Sequence, residues 1–193
     1  MIASHCEHIH LIWQNESRLK DYQRAWTSLN KTSNITYYQI RATELELIYI
    51  STNHETVKSN LTCWIVNMEV LNQTEETAVR HYHYLRNATR QVFFKDVQVN
   101  TVSKLNYSIK NAVEYEYERD DKKADPVIFT DGEMCDLFNV PRISPEGGCE
   151  LWVKSDYKDN VPHAVRLFTI FYAMWKKATI YMTRSYAATS LRA

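Results

Sequence analysis

The strongest constraint on this chain is a period of two. From residue 37 onward, apolar and aromatic side chains alternate with polar ones in short runs broken by polar turns. Residues 61–71 set Trp64, Val66, Met68 and Val70 on one face. Residues 79–85, 91–99 and 105–118 continue the pattern, with Val113, Tyr115 and Tyr117 alternating with glutamates. Residues 37–50 are rich in Tyr, Ile, Leu and Thr, and shorter runs cover 127–130, 135–140 and 149–154. Polar turns fall at 52–55, 120–123 and 144–148. Residues 16–29 differ, because Leu19, Tyr22, Trp26 and Leu29 recur at helical spacing. Asn15 is placed to cap that helix. Pro162 suits the first turn of a second helix reaching about Trp175.

A helix, about eight sequential strands and a closing helix is the order of a lipocalin-type barrel. The expected fold is all-β: an eight-stranded antiparallel barrel with an N-terminal and a C-terminal helix packed outside. Closure removes sheet edges and leaves room for one small ligand. The 193 residues are read as one lipocalin domain, with 1–12 and 177–193 as poorly defined ends. Composition narrows the function. Lys plus Arg is 23 and Asp plus Glu is 23, and this balance argues against a nucleic-acid partner. Only 3 glycines occur, too few for a phosphate loop or a dinucleotide fingerprint. Thirteen Tyr and 5 Trp suit a half-wet pocket. No apolar stretch is long enough to span a membrane. The reading is of a monomer without a cofactor.

The compartment is argued from glycosylation signals. Seven Asn-X-Ser/Thr triplets begin at Asn15, Asn30, Asn34, Asn60, Asn72, Asn87 and Asn106, none blocked by Pro. They imply a glycosylated, secreted protein. Cys6, Cys63, Cys135 and Cys149 suit an oxidising compartment, and no Cys-X-X-Cys pair suggests zinc. Residues 1–13 lack the apolar run of a signal peptide, so the expectation is that this segment is missing from the chain.

Charge in the barrel pattern points to a ligand. Glu150 and Trp152 share one face of the strand 149–154, and Leu151 and Val153 share the other. Either pair can point inward. If the first does, a carboxylate and an indole line the cavity together. A buried carboxylate is costly unless paired, and a cationic amine supplies the pair. The indole face adds about 0.5–2 kcal/mol of cation–π attraction. Asp136 on the preceding strand is a second candidate. An outward Glu150 and Asp136, with Leu151 and Val153 in the core, is the alternative.

These segments resemble the tick salivary lipocalins of the histamine-binding protein family. The landmarks are residues 22–29 (Tyr-Gln-Arg-Ala-Trp-Thr-Ser-Leu), Tyr37-Tyr38, Arg41-Ala42-Thr43 and Cys63. The most specific is Cys135-Asp136-Leu137, then, after a spacer of twelve residues, Glu150-Leu151-Trp152. The resemblance implies a secreted barrel that sequesters host histamine or serotonin in up to two sites and so suppresses host defence. It implies that Glu150, Trp152 and Tyr115 serve one site, and that Asp136 and Ser28 serve the second. Where the family has a further second-site Asp, this chain has Leu47, with Glu46 adjacent. Glu44 replaces a first-site tyrosine. Val165 and Trp175 stand at expected cysteines, so Cys63 and Cys135 lose their family partners. Cys135 with Cys149, and Cys6 with Cys63, are then candidate pairs, and the sequence leaves the connectivity open.

Two rivals share the sequence. An enzyme is disfavoured, because no nucleophile motif such as Gly-X-Ser-X-Gly occurs. The His81-X-His83 pair is read as a solvated barrel face rather than a metal site. The same scaffold binding a lipid mediator such as a leukotriene, or a host protein such as a complement component, is the other. The sign of the cavity charge separates the small ligands. A net negative interior favours amines; a neutral or positive one favours lipid acids.

Overall fold

In a computed structural model, described over residues 12–43, 47–51, 56–143, 148–161 and 181–182, the chain forms a closed antiparallel barrel. The strands are β1 (Thr36–Ala42), β2 (Leu47–Ser51), β3 (Thr56–Asn72), β4 (Thr77–Arg86), β5 (Gln91–Val102), β6 (Ala112–Glu118), β7 (Asp121–Thr130), β8 (Cys135–Val140), β9 (Gly148–Lys154) and β10 (Tyr181–Met182). Neighbours in sequence pair from β2 to β9. Closure falls to β1, which pairs with β9 and, at Thr36, Tyr37 and Tyr38, also with β3. Eight strands make the ring; β2 and β10 extend it along β3 and β1.

Several elements differ from the sequence pattern, each for a local reason. The expected strand 37–50 is two strands, because β1 leaves β3 to run along β9 while β2 continues along β3. The expected helix 16–29 is two short helices, α1 (Glu16–Leu19) and α2 (Ala25–Leu29), joined by a 3-10 turn, Lys20–Tyr22. Gln23 breaks it. Its fully buried amide donates to the carbonyls of Trp13 (2.7 Å) and Ile128 (3.0 Å), and the Ala25 N–H goes to Lys110 O. These tertiary bonds replace the helical ladder. Asn15 precedes α1 but makes no side-chain cap; its Oδ1 instead accepts the Ser17 hydroxyl at 2.7 Å. The expected strand 105–118 starts only at Ala112, after a loop in which Leu105 and Asn106 take positive φ. The expected helix from Pro162 lies outside the described residues.

Two apolar clusters follow from the alternation. The inner one joins Tyr37, Val66, Met68, Val99, Val113, Val127, Phe138 and Trp152 with Ala25 and Leu29 of α2. The second joins Trp13, Ile128, Cys135, Leu137, Cys149, Leu151 and Val153. Leu151 and Val153 alternate with Trp152, so this second cluster covers the outer face of β8 and β9. Both faces of β9 are therefore covered.

The described cysteines, Cys63, Cys135 and Cys149, are free thiols, which corrects the candidate Cys135–Cys149 pairing. In the β8–β9 ladder Cys135 opposes Val153 and Cys149 opposes Asn139. Four register positions separate them, about 13 Å along the strands, against about 4.4–6.8 Å between Cα atoms in a disulfide. Cys6, the candidate partner of Cys63, lies outside the described residues.

Candidate ligand-binding site

The barrel holds a cavity of about 630 Å³, counting its open mouth. Glu150, Trp152 and Tyr115 line it, so the Glu150–Trp152 face of β9 points inward. The Trp152 indole N–H donates to Glu150 Oε2 at 3.1 Å, which fixes the carboxylate beside the ring. Phe138 lies opposite Glu150 across the β8–β9 ladder and completes that wall.

Sequence reasoning missed the second carboxylate. Asp125 on β7 lines the same cavity and is 7% exposed. Burial first, and Glu150 second, push its carboxyl from 3.8 up to about 7, against the pull of Arg142, Tyr115 and Arg80. The sequence pattern began this strand at Val127, since Pro126 and the charged run 120–123 look like a turn. The turn is in fact confined to Arg119 and Asp120, with Asp120 at φ 63°. That places Asp125 well inside the strand. Its Oδ1 is buried without a hydrogen-bond partner.

Cations share the walls. Arg80 is 5% exposed, donates to the Tyr82 hydroxyl at 3.2 Å and lies 4.9 Å from the Phe138 ring. Its Nε is a buried donor with no partner. Arg142 Nε donates to the Tyr115 hydroxyl at 2.9 Å. Lys95 is exposed. Two carboxyl groups thus face three cationic groups, a formal excess of one positive charge. Aromatic rings form a file through the site. Trp152 meets Tyr82 at 5.9 Å, Tyr82 meets Trp64 at 5.6 Å, Trp64 stacks on Tyr84 at 4.4 Å and Tyr84 on Phe93 at 5.9 Å.

The other two expected site residues lie elsewhere. Asp136 opposes Trp152 in the β8–β9 ladder, two pairs from the Phe138–Glu150 pair, and does not line the described cavity. It is fully buried, accepts the Thr130 hydroxyl at 2.5 Å and lies 3.6 Å from Lys31 Nζ. Burial pushes its carboxyl up, while Lys31, Thr130 and Arg80 pull it down. Ser28 is buried on α2 and donates to Ala25 O at 2.7 Å, a bond within its own helix. Glu44 and Glu46 lie outside the described residues. His81 sits between Asp96 (2.8 Å) and Glu69 (3.2 Å), which occupy both ring nitrogens. Among the described residues no three side chains group to hold a metal.

Comparison with known proteins decides the family. The model of the tick histamine binding protein family matches residues 13–185. The chain belongs to this family. The male-specific histamine-binding salivary protein of Rhipicephalus appendiculatus is 30% identical over 173 residues, 87% of this chain and 82% of that one. Among solved structures, the siderocalin Ex-FABP shares 12% identity with a TM-score of 0.50, over 80% of this chain and 95% of its own. That likeness concerns the fold alone. As a histamine-binding family member with a lipocalin-like barrel, the chain is a ligand-binding protein.

Of the seven expected glycosylation asparagines, Asn15, Asn30, Asn34, Asn72, Asn87 and Asn106 are exposed and Asn60 is half-buried. Asn72 already accepts the N–H groups of Thr74 and Glu75 in its turn.

Proposed function

We propose that this protein binds a small primary amine, histamine or serotonin, between Asp125, Glu150 and Trp152, without chemical turnover. The observation that carries the reading is the pair of carboxyls in one cavity beside an indole. Burial first, and repulsion from Glu150 second, raise the Asp125 carboxyl. An ammonium between them relieves that repulsion, offers a donor to Asp125 Oδ1 and faces the Trp152 ring. Tyr115 stacks on the ligand ring. Asp136 and Ser28 serve a second amine in the family resemblance, but here each already has an internal partner. One amine per barrel is therefore the expected stoichiometry. In the same reading the protein is secreted and carries glycans on its exposed sequons. It lowers free amine at a host surface and so blunts host defence.

A second reading rests on the excess of positive charge, a sign that favours a lipid acid and runs against the amine. Arg80, with its unpartnered Nε, and Arg142 can hold a carboxylate, and the aromatic file suits a lipid acid such as a leukotriene. Calorimetric titration with histamine, serotonin and a fatty-acid carboxylate separates the two. Saturable binding of one amine supports the first reading; binding of the acid alone replaces it with the second.

The raised Asp125 carboxyl also sets a pH dependence. Between about pH 4 and 7 the unfolded chain has lost this proton while the folded barrel keeps it. Stability of the ligand-free protein from this group therefore falls as pH rises through that window. Amine affinity moves the other way, because an ammonium prefers the ionised carboxylate. Serotonin affinity is expected to rise up to about tenfold per unit toward pH 7 and then level. Asp125→Asn should flatten this profile; an unchanged slope would assign the proton to another group.

A further inference from the structure

Two buried atoms of opposite kind belong to residues that line the cavity, and neither has a hydrogen-bond partner among the described residues. Asp125 Oδ1 is an acceptor on β7, and Arg80 Nε is a donor on β4. Their residues are 7% and 5% exposed. In the ring β5 and β6 separate these strands, so the two side chains reach the lumen from different walls. They are close enough for Arg80 to pull the Asp125 carboxyl down, yet these two atoms are not bonded to each other.

Other contacts set the orientation of the guanidinium. Arg80 Nη1 donates to the Tyr82 hydroxyl at 3.2 Å, and Cζ lies 4.9 Å from the centroid of the Phe138 ring. Nε belongs to the edge that, with Nη2, pairs side-on with a carboxylate. A buried donor or acceptor left without a partner is costly, and a ligand that satisfies it recovers that cost. The ammonium of an amine serves Asp125 alone and adds a positive charge to walls that already carry an excess of one. The carboxylate of a lipid acid serves Arg80 alone. A zwitterion serves both and leaves the excess unchanged. In an α-amino acid the two charged groups share one carbon, which suits opposite charges that lie near each other without bonding.

We propose that the cavity also takes aromatic α-amino acids, with the ammonium on Asp125, the carboxylate on Arg80 and the ring against Trp152. This rests on the reading that an ammonium sits between Asp125 and Glu150, and it adds Arg80 as the residue that selects a carboxylate on the same molecule.

L-Histidine and histamine differ only in a carboxylate, so the pair isolates what Arg80 contributes. Calorimetric titration of the full native chain and of Arg80→Met measures both affinities, at mildly alkaline pH where the Asp125 carboxyl is ionised. L-Histidine should bind the native barrel saturably and displace histamine. Methionine is similar in length to arginine and carries no charge. Arg80→Met should lower the ratio of histidine to histamine affinity at least about tenfold, the usual worth of a hydrogen bond to a charged group. The shared dependence on Asp125 and Glu150 cancels in that ratio, and circular dichroism checks that the barrel is intact. A native protein that binds histamine but not histidine overturns the proposal and leaves the amine reading standing; binding of neither overturns both. An unchanged ratio in a folded Arg80→Met barrel also overturns it. If Arg80→Met does not fold, the native barrel decides with L-histidine methyl ester, in which the carboxylate is masked. Histidine should bind more tightly than the ester, and equal or reversed affinities overturn the proposal.

Discussion

Glu150→Gln is expected to weaken histamine or serotonin binding at least about tenfold while the barrel remains folded. Truncating one member of a buried charge pair typically costs about 2–5 kcal/mol of binding, or more. The fold should tolerate it, because the amide oxygen can still accept the Trp152 indole N–H now bonded to Glu150. The loss is limited by Asp125. Glu150 helps raise the Asp125 carboxyl, so its neutralisation leaves Asp125 more fully ionised and able to carry the ammonium alone. Asp125→Asn together with Glu150→Gln should then abolish amine binding. The sign of the single change also separates the two ligand classes. A lipid carboxylate held by Arg80 and Arg142 would bind more tightly once Glu150 loses its charge. Unchanged amine affinity in a folded Glu150→Gln protein would move the ammonium away from this wall.

The largest stability effect is expected at Gln23, away from the cavity. Gln23→Leu is nearly the same size but removes the donors to Trp13 O and Ile128 O, and the acceptor for the Tyr107 hydroxyl at 2.9 Å. Trp13 O keeps the Tyr107 hydroxyl at 3.0 Å, whereas Ile128 O loses its Gln23 donor. Stranding Ile128 O costs about 1–3 kcal/mol and the lost bond to Trp13 O adds about 1, so the cost is about 2–4 kcal/mol. In a chain of this size that lowers the melting temperature by about 5–15 °C. Thermal unfolding followed by circular dichroism measures it. A shift under about 2 °C would show that water or a rearranged Tyr107 satisfies those groups.

Period-two reasoning reached the strands and the inward face of β9, because alternation leaves only two choices for Glu150 and Trp152. It did not reach Asp125, since Pro126 and neighbouring charges disguise the middle of a strand as its start. Arg80 shares the inner face of β4 with Tyr82, but an arginine in an alternating run reads as solvent-facing until its face is known. Breaking of the first helix at Gln23, and neutralisation of Asp136 by Lys31, depend on partners distant in the chain. No local pattern announces such contacts. The family motif Cys135-Asp136-Leu137 is kept, yet its carboxylate is already bonded within the protein. A signature can thus survive while the chemistry around it changes.

The file of rings from Trp152 through Tyr82 and Trp64 to Tyr84 and Phe93 has an optical consequence. Chromophores this close couple their electronic transitions, so the interior should give strong near-ultraviolet circular dichroism. Light absorbed at Tyr82 or Tyr84 should emerge as tryptophan emission from Trp64 and Trp152. An occupant touching the Trp152 end of the file would disturb the whole of it. The empty and filled barrels should therefore differ in colour of emission as well as in intensity, and the protein would report its own occupancy without a label.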